Sequence, residues 1–280
     1  DGLPVTIISY QLIIEKIETP HAHMIGKLGL SAYLLPSVTS VTLPAGFLEP
    51  DTDYAWEVLA IEASGNQTLS SGEFTTGVVF GANPPPDADN DPPQLKEAKL
   101  NIEHNATDLD TGFQGAIDSE GWQRLEVTDP NGELVLSFEG RGELAQLGVT
   151  ELFFETVEPA NADVSIAEML AKLPEGNYTI AGPSMINGQR GGRTSGIAWL
   201  THTIPAGPVL VTPGEGADVS AENLLLDWNP VTQTITGAPV EIIAYQVIVE
   251  KVQPVHPDMI GKIGLSIYLP STVTSLTVPD

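Results

Sequence analysis

Residues 4–45 return at residues 239–280 without a gap, at an offset of 235 positions (239 − 4), and more than half of the 42 aligned pairs are identical. The pairs Tyr10/Tyr245, Glu15/Glu250, Lys16/Lys251 and His21/His256 are among them, and so is the run Met-Ile-Gly-Lys. A length of 280 residues predicts two domains or three small ones. A period of 235 residues therefore spans more than one domain, and the chain holds one full period plus the opening of a second. It is expected to be a window on a longer repeating protein, starting and stopping inside the same kind of domain.

The residues within the period read as strands. YQLIIEKI and YQVIVEKV are short β-branched runs, SVTSVTLP and TVTSLTVP alternate, and breakers such as PAG, SGN, DPNG and PEGN punctuate the chain. Only residues 165–173, SIAEMLAKL, show helical spacing, with Ile166, Met169, Leu170 and Leu173 on one face and Ser165 as N-cap. The expectation is an all-β chain of tandem β-sandwiches with one short helix.

Composition narrows function more by exclusion than by assignment. With 37 acidic and 11 basic residues the net charge is −26, which repels nucleic acids and anionic membrane surfaces. No apolar run reaches the length of a membrane span, and the first residues lack the basic start of a leader. Without Cys there is no disulfide frame, thiolate metal site or Cys nucleophile.

Between residues 43 and 76, Leu48, Pro50, Thr52, Tyr54, Val58, Ala60, Gly65 and Ser70 fall in a pattern that resembles the second half of a fibronectin type III domain. The resemblance implies that Tyr54 locks a corner, its ring buried and its hydroxyl bonded to nearby backbone. Residues 208–231, with Pro213, Trp228 and Pro230, resemble the first half of the same family, Trp228 standing at the core tryptophan. The implied organisation is an immunoglobulin-like, fibronectin type III-like part at 3–78 carrying strands C to G, and a second at 207–280 carrying strands A to E. Between them lie a Pro/Asp-rich linker at 79–94 and a β-sandwich at 95–206. That middle block lacks the fibronectin pattern and resembles uncharacterised bacterial secreted proteins, so the chain is expected at the cell surface or outside the cell.

The densest polar stretch is residues 105–122, NATDLDTGFQGAIDSEGW, where Asp108, Asp110, Asp118 and Glu120 are the candidate calcium ligands around Gly112 and Gly115. Calcium takes several oxygens from a loop bent by glycine, but the bidentate Glu of an EF-hand is missing, since the twelfth residue from Asp108 is Ser119. A solvated acidic turn is the competing reading. Asp87, Asp89 and Asp91 in the linker pose the same choice. His21 and His23 form a His-x-His pair whose copy reads His256-Pro-Asp258, and His104 and His202 stand singly on strands, all read as structural or surface histidines. No nucleophile elbow, zinc-protease helix, phosphate loop or dinucleotide fingerprint occurs. GQRGGRTSG at 188–196 reads as a hairpin loop, and Glu151 with Glu155 is the carboxylate pair an acid–base mechanism would need.

Two functions are expected to compete. One is a non-enzymatic extracellular repeat module, a spacer or adhesive array whose partners are neighbouring copies, other surface proteins or glycans. The other is a carbohydrate-binding or catalytic middle domain presented by its neighbours. Trp122, Phe153, Phe154 and Trp199 on one open face would favour sugar binding. Trp122, Leu125, Val127, Leu136, Phe138, Phe153, Tyr178, Ile180 and Trp199 are the predicted core of that block. Residues 3–77 lack an A and B strand, and residues 207–280 lack F and G, so the chain is expected to close on itself or to complete its halves with another copy.

Overall fold

The computed structural model describes residues 5–17, 21, 24, 29–77, 94–186, 188–220, 222–252 and 264–278. The linker carboxylates Asp87, Asp89 and Asp91, and His23, His256 and Asp258, lie outside the described residues. Among those described, the first copy of the repeat forms β1 (Ile7–Lys16) and β2 (Gly29–Leu34), followed by β3 (Thr52–Glu62) and β4 (Gln67–Thr76). The middle block forms β5 (Glu97–Asn105), β6 (Asp110–Trp122), β7 (Arg124–Thr128), β8 (Leu134–Glu139), α1 (Leu144–Leu147), β9 (Val149–Glu155), α2 (Ile166–Leu170), β10 (Gly176–Ile186) and β11 (Gln189–Leu200). The last part forms β12 (Val209–Thr212), β13 (Leu225–Asn229), β14 (Ala244–Glu250), β15 (Gly264–Pro270) and β16 (Ser275–Thr277). The chain is all-β, built of antiparallel sheets, as the alternation predicts.

The two copies of the repeat meet in one sheet of order β14-β15-β2-β1-β3-β4. The seam between β15 and β2 pairs a strand with its own copy: Leu265 faces Ala32, Ser266 faces Ser31 and Ile267 faces Leu30. Since the offset is 235, Ser31 and Ser266 are the same repeat position, and the seam has a local two-fold axis through them. The same side-chain bond recurs on either side, Gln11 donating to Ser31 and Gln246 to Ser266, both at 3.0 Å. A three-stranded sheet, β12-β13-β16, lays Trp228 and Leu276 over this larger sheet, against Tyr245, Ile267, Leu269 and the cluster reaching Ile14 and Tyr54. The chain thus closes on itself. Tyr54 is buried and its hydroxyl accepts from the Glu49 backbone N–H at 3.0 Å, the corner bond anticipated for it.

In the middle block β5-β6-β9 lies on one side and β8-β7-β10-β11 on the other, joined where Ser184 pairs with Trp122. Alternation places Leu125 and Val127, Tyr178 and Ile180, and Ala198 and Leu200 inward, with Trp122 and Phe113 across from them. Tyr178 repeats the corner device, donating to Pro174 O at 2.8 Å. Ser165 caps α2 with a reciprocal capping box to Glu168, and α2 inserts Met169 into the core.

Several expectations are corrected. Phe153 and Trp199 are 56% and 45% exposed, because the inward phase belongs to Phe154, Ala198 and Leu200. Residues 110–122 form the long strand β6 instead of a loop, its glycines letting neighbours approach: a Cβ at Gly115 would lie 2.3 Å from the Phe154 ring. Residues 189–196 of the presumed hairpin loop belong to β11. The helix over 165–173 is shorter, Ile166–Leu170, and a second helical turn, α1, precedes β9. Finally, SVTSVTLP in the first copy forms no strand, whereas its counterpart forms β16.

Candidate functional site

The four residues read as calcium ligands are not brought together. Asp110 and Asp118 sit at opposite ends of an unbroken ladder, Asp110 facing Asn105 and Asp118 facing Glu97. Eight residue steps along a strand separate them by roughly 26 Å. Asp108 belongs to the β5–β6 turn, where it accepts from Asn105 Nδ2 at 2.9 Å while Asn105 Oδ1 accepts from the Thr107 and Asp108 backbone N–H groups. Glu120 pairs with Lys96 at 2.7 Å on the surface. No single ion can hold all four.

The register assembles a different acidic group. β5 carries Glu103, β9 ends on Glu155, and Glu158 follows three residues later; carboxylate oxygens of all three lie within 4.8 Å of one another. Gln114 on β6 ties two of them, its Nε2 donating to Glu103 and, at 2.9 Å, to Glu155. Gly112 makes room for the third, since a Cβ there would stand 2.7 Å from Glu158 Cγ. Glu158 Oε1 and Asp110 Oδ1 are buried without a hydrogen-bond partner.

Electrostatics follow from this crowding. Burial, and after it the neighbouring Glu155, hold the Glu103 carboxyl above its usual range, with Gln114 opposing. Glu158 is raised by burial first and then by Glu103, Glu155 and Asp110. Such a group can share a proton, or offer three hard oxygens to a divalent cation. Its residues are 52 and 3 positions apart in sequence (155 − 103 and 158 − 155), so no local motif announces it. Glu151, the other half of the imagined pair, faces Asp118 farther along β9.

Glu103 and Gln114 also line a cleft of about 570 Å³ with Phe153 on one wall and Gln246, Ile248 and Tyr268 on the other. The Tyr268 hydroxyl is raised by burial and by Glu97 and Glu103. The four aromatics proposed as a sugar platform are dispersed. Trp122 is buried and Phe154 half-buried, while exposed Phe153 and Trp199 sit on strands of the two separate halves, β9 and β11. Two described histidines are hydrogen-bonded: His104 Nδ1 lies 3.0 Å from Thr111 Oγ1, and His202 Nε2 lies 2.9 Å from Leu173 O.

A second concavity, of about 560 Å³, opens on the first copy of the repeat between Tyr10, Val41, Trp56 and Phe74. Its walls are mostly apolar. Trp56 is 42% exposed there.

Among the described residues no helix is long and apolar enough to cross a membrane. No protein-family model matches the sequence, and no curated relative does. Among solved structures the chain is similar to a 1.5-MDa bacterial ice-binding adhesin, described for its retention on the host cell surface, at 9% identity and a TM-score of 0.20, covering 95% of this chain and 77% of that one. It is also similar to a tetra-tandem repeat from the extending region of a large adhesion protein, at 14% identity and a TM-score of 0.17, covering 99% of this chain and 60% of that one.

Proposed function

We propose that the chain is a non-enzymatic module of an extracellular repeat array, a spacer between the ends of a larger surface protein. The 235-residue repeat carries this reading, since a repeating period of folded β units is a way of spanning distance. The junction at residue 206 adds to it. Ala206 N–H donates to Gln233 O at 2.9 Å, Ile235 N–H donates to Ile204 O at 3.1 Å, and Ile204 is 4% exposed. A junction bonded in this way transmits direction from one unit to the next, unlike a free hinge. The net charge of −26 supports solubility of many copies in series and sensitivity to divalent cations.

Small-angle scattering on the chain and on a protein extended by one further 235-residue period tests the reading. A spacer gains a fixed increment of maximum dimension per added period. Growth of the radius of gyration as the ~0.38 power of length, the law for a compact globule, overturns it.

A further inference from the structure

All four arginines of this acidic chain, Arg124, Arg141, Arg190 and Arg193, lie in the middle block. Two of them are paired with neighbouring carboxylates, Arg124 with Glu126 and Arg141 with Glu139. The other two stand on β11 without a carboxylate. Arg190 Nε and Nη2 both donate to the neutral Gln123 Oε1, at 2.9 and 2.6 Å, and exposed Arg193 makes no hydrogen bond or ion pair among the described residues. In a chain of 37 acidic and 11 basic residues, an unpaired guanidinium is a fork open to an anion from outside the chain.

Arg193 also begins a strip. Along β11 the outward phase is Arg193, Ser195, Ile197 and Trp199, whereas Thr194, Ala198 and Leu200 are buried. Ile197 is 58% and Trp199 45% exposed, so the strip keeps apolar surface in water. β10 supplies the facing row, Asn177 opposite Trp199, Thr179 opposite Ile197 and Ala181 opposite Ser195. Residues opposite one another in an antiparallel pair share a face, with Cβ atoms about 5 Å apart. The exposed Asn177 amide and Thr179 hydroxyl make no hydrogen bond among the described residues. Ala181 and Ser195 are small, which keeps the floor low between the indole and the guanidinium. The six residue steps from Arg193 to Trp199 span roughly 20 Å.

An exposed indole beside an amide and a hydroxyl suits a sugar ring, whose C–H face lies on the aromatic while its hydroxyls exchange hydrogen bonds with the polar neighbours. A guanidinium farther along the same straight face takes a carboxylate through two parallel bonds. A single sugar reaches only one end of the strip, whereas an extended acidic oligosaccharide reaches both. We propose that the β10–β11 face binds a linear glycan of uronic acids, with one ring on Trp199 and a carboxylate on Arg193. The carboxylates of a second copy of the chain fit less well, since they would leave Ile197 and Trp199 uncovered and bring together two bodies of charge −26. The site adds a binding face to the module and stands independently of how successive periods extend.

The test is calorimetric titration of the whole chain with oligogalacturonate, and with a cello-oligosaccharide of equal length as the neutral control. The expected result is saturable binding of oligogalacturonate that is at least about tenfold weaker in R193Q, as for hydrogen bonds to a charged group. W199A weakens it by at least about tenfold as well, as for an aromatic anchor. Both positions are exposed, so both variants keep the melting temperature, and R141Q, whose partner is Glu139, binds as the parent does. Absence of saturable binding, parental affinity in R193Q or W199A, or equal binding of the neutral oligosaccharide would each overturn the proposal. Self-association in sedimentation that R193Q abolishes, with no oligosaccharide bound, overturns it too and gives the strip to a second copy.

Discussion

Replacing Trp228 with Ala measures how firmly the three-stranded sheet is held. The side chain is 6% exposed, so truncation withdraws roughly 200 Å² of buried apolar surface, about 5 kcal/mol at ~25 cal/mol/Å². Compactness of the unfolded chain reduces that upper figure to about 3–4 kcal/mol. The edge-on contact with Tyr245 adds about 0.5–1 kcal/mol. Against this, the buried Trp228 indole N–H has no partner, and its removal returns about 1–2 kcal/mol. The net expected cost is about 3 kcal/mol. The substitution W56A, at a residue 42% exposed, costs about 2 kcal/mol by the same reasoning. Because the middle block has its own core, native-state hydrogen exchange at the Leu226 and Leu276 amides is the assay that reports on this sheet alone. A W228A chain within 0.5 kcal/mol of the parent, or W56A costing more than W228A, would refute the argument.

Other outcomes follow from the middle block. Glu103 and Glu158 bind their protons more tightly folded than unfolded, so their contribution to stability is full below the ordinary value of 4.5 and is lost as pH rises through their raised folded values. The variant E158Q should flatten the fall of melting temperature over that acidic window, and an unchanged pH profile would count against the crowding argument. The variant D108A should leave any calcium-induced rise in melting temperature unchanged, since Asp108 closes a turn with Asn105 far from Asp118; loss of that rise would contradict the placement. Gly115→Ala drives a Cβ into the Phe154 ring and Leu100, and should cost about 1–3 kcal/mol in denaturant unfolding. Gly192→Ala, which meets nothing within 4 Å, should cost about 0.5 kcal/mol or less.

Much of the architecture was legible because it rests on local pattern. The predicted β-sandwich at 95–206 and its inward Leu125, Val127, Tyr178 and Ile180 were read from alternation alone. It failed where two large apolar residues are adjacent, as in Phe153-Phe154, because the pattern then does not say which one faces in. It also failed at β6, where the glycines that admit Phe154 and Glu158 look like the punctuation of a loop. The acidic group of Glu103, Glu155 and Glu158 was illegible for a different reason, being a product of the β5-β6-β9 register and not of spacing. The fate of residues 39–43 shows the limit most directly. Nearly the same residues form an edge in one copy and none in the other, so strand formation there belongs to the partner strand and not to the segment.

The two-fold seam between β2 and β15 bears on the order in which the chain folds. Ser31 and Ser266 are 235 positions apart (266 − 31), and a contact that distant forms only after a large loss of chain entropy. The β10–β11 hairpin and the β5–β6 and β7–β8 ladders are local and form first, shortening the loop the seam must close. Until it closes, β2 presents an open edge whose partner is nearly its own sequence, and the β2 of another molecule is almost the chemical equal of β15. Correct closure therefore competes with pairing between chains during folding, and the balance is set by concentration.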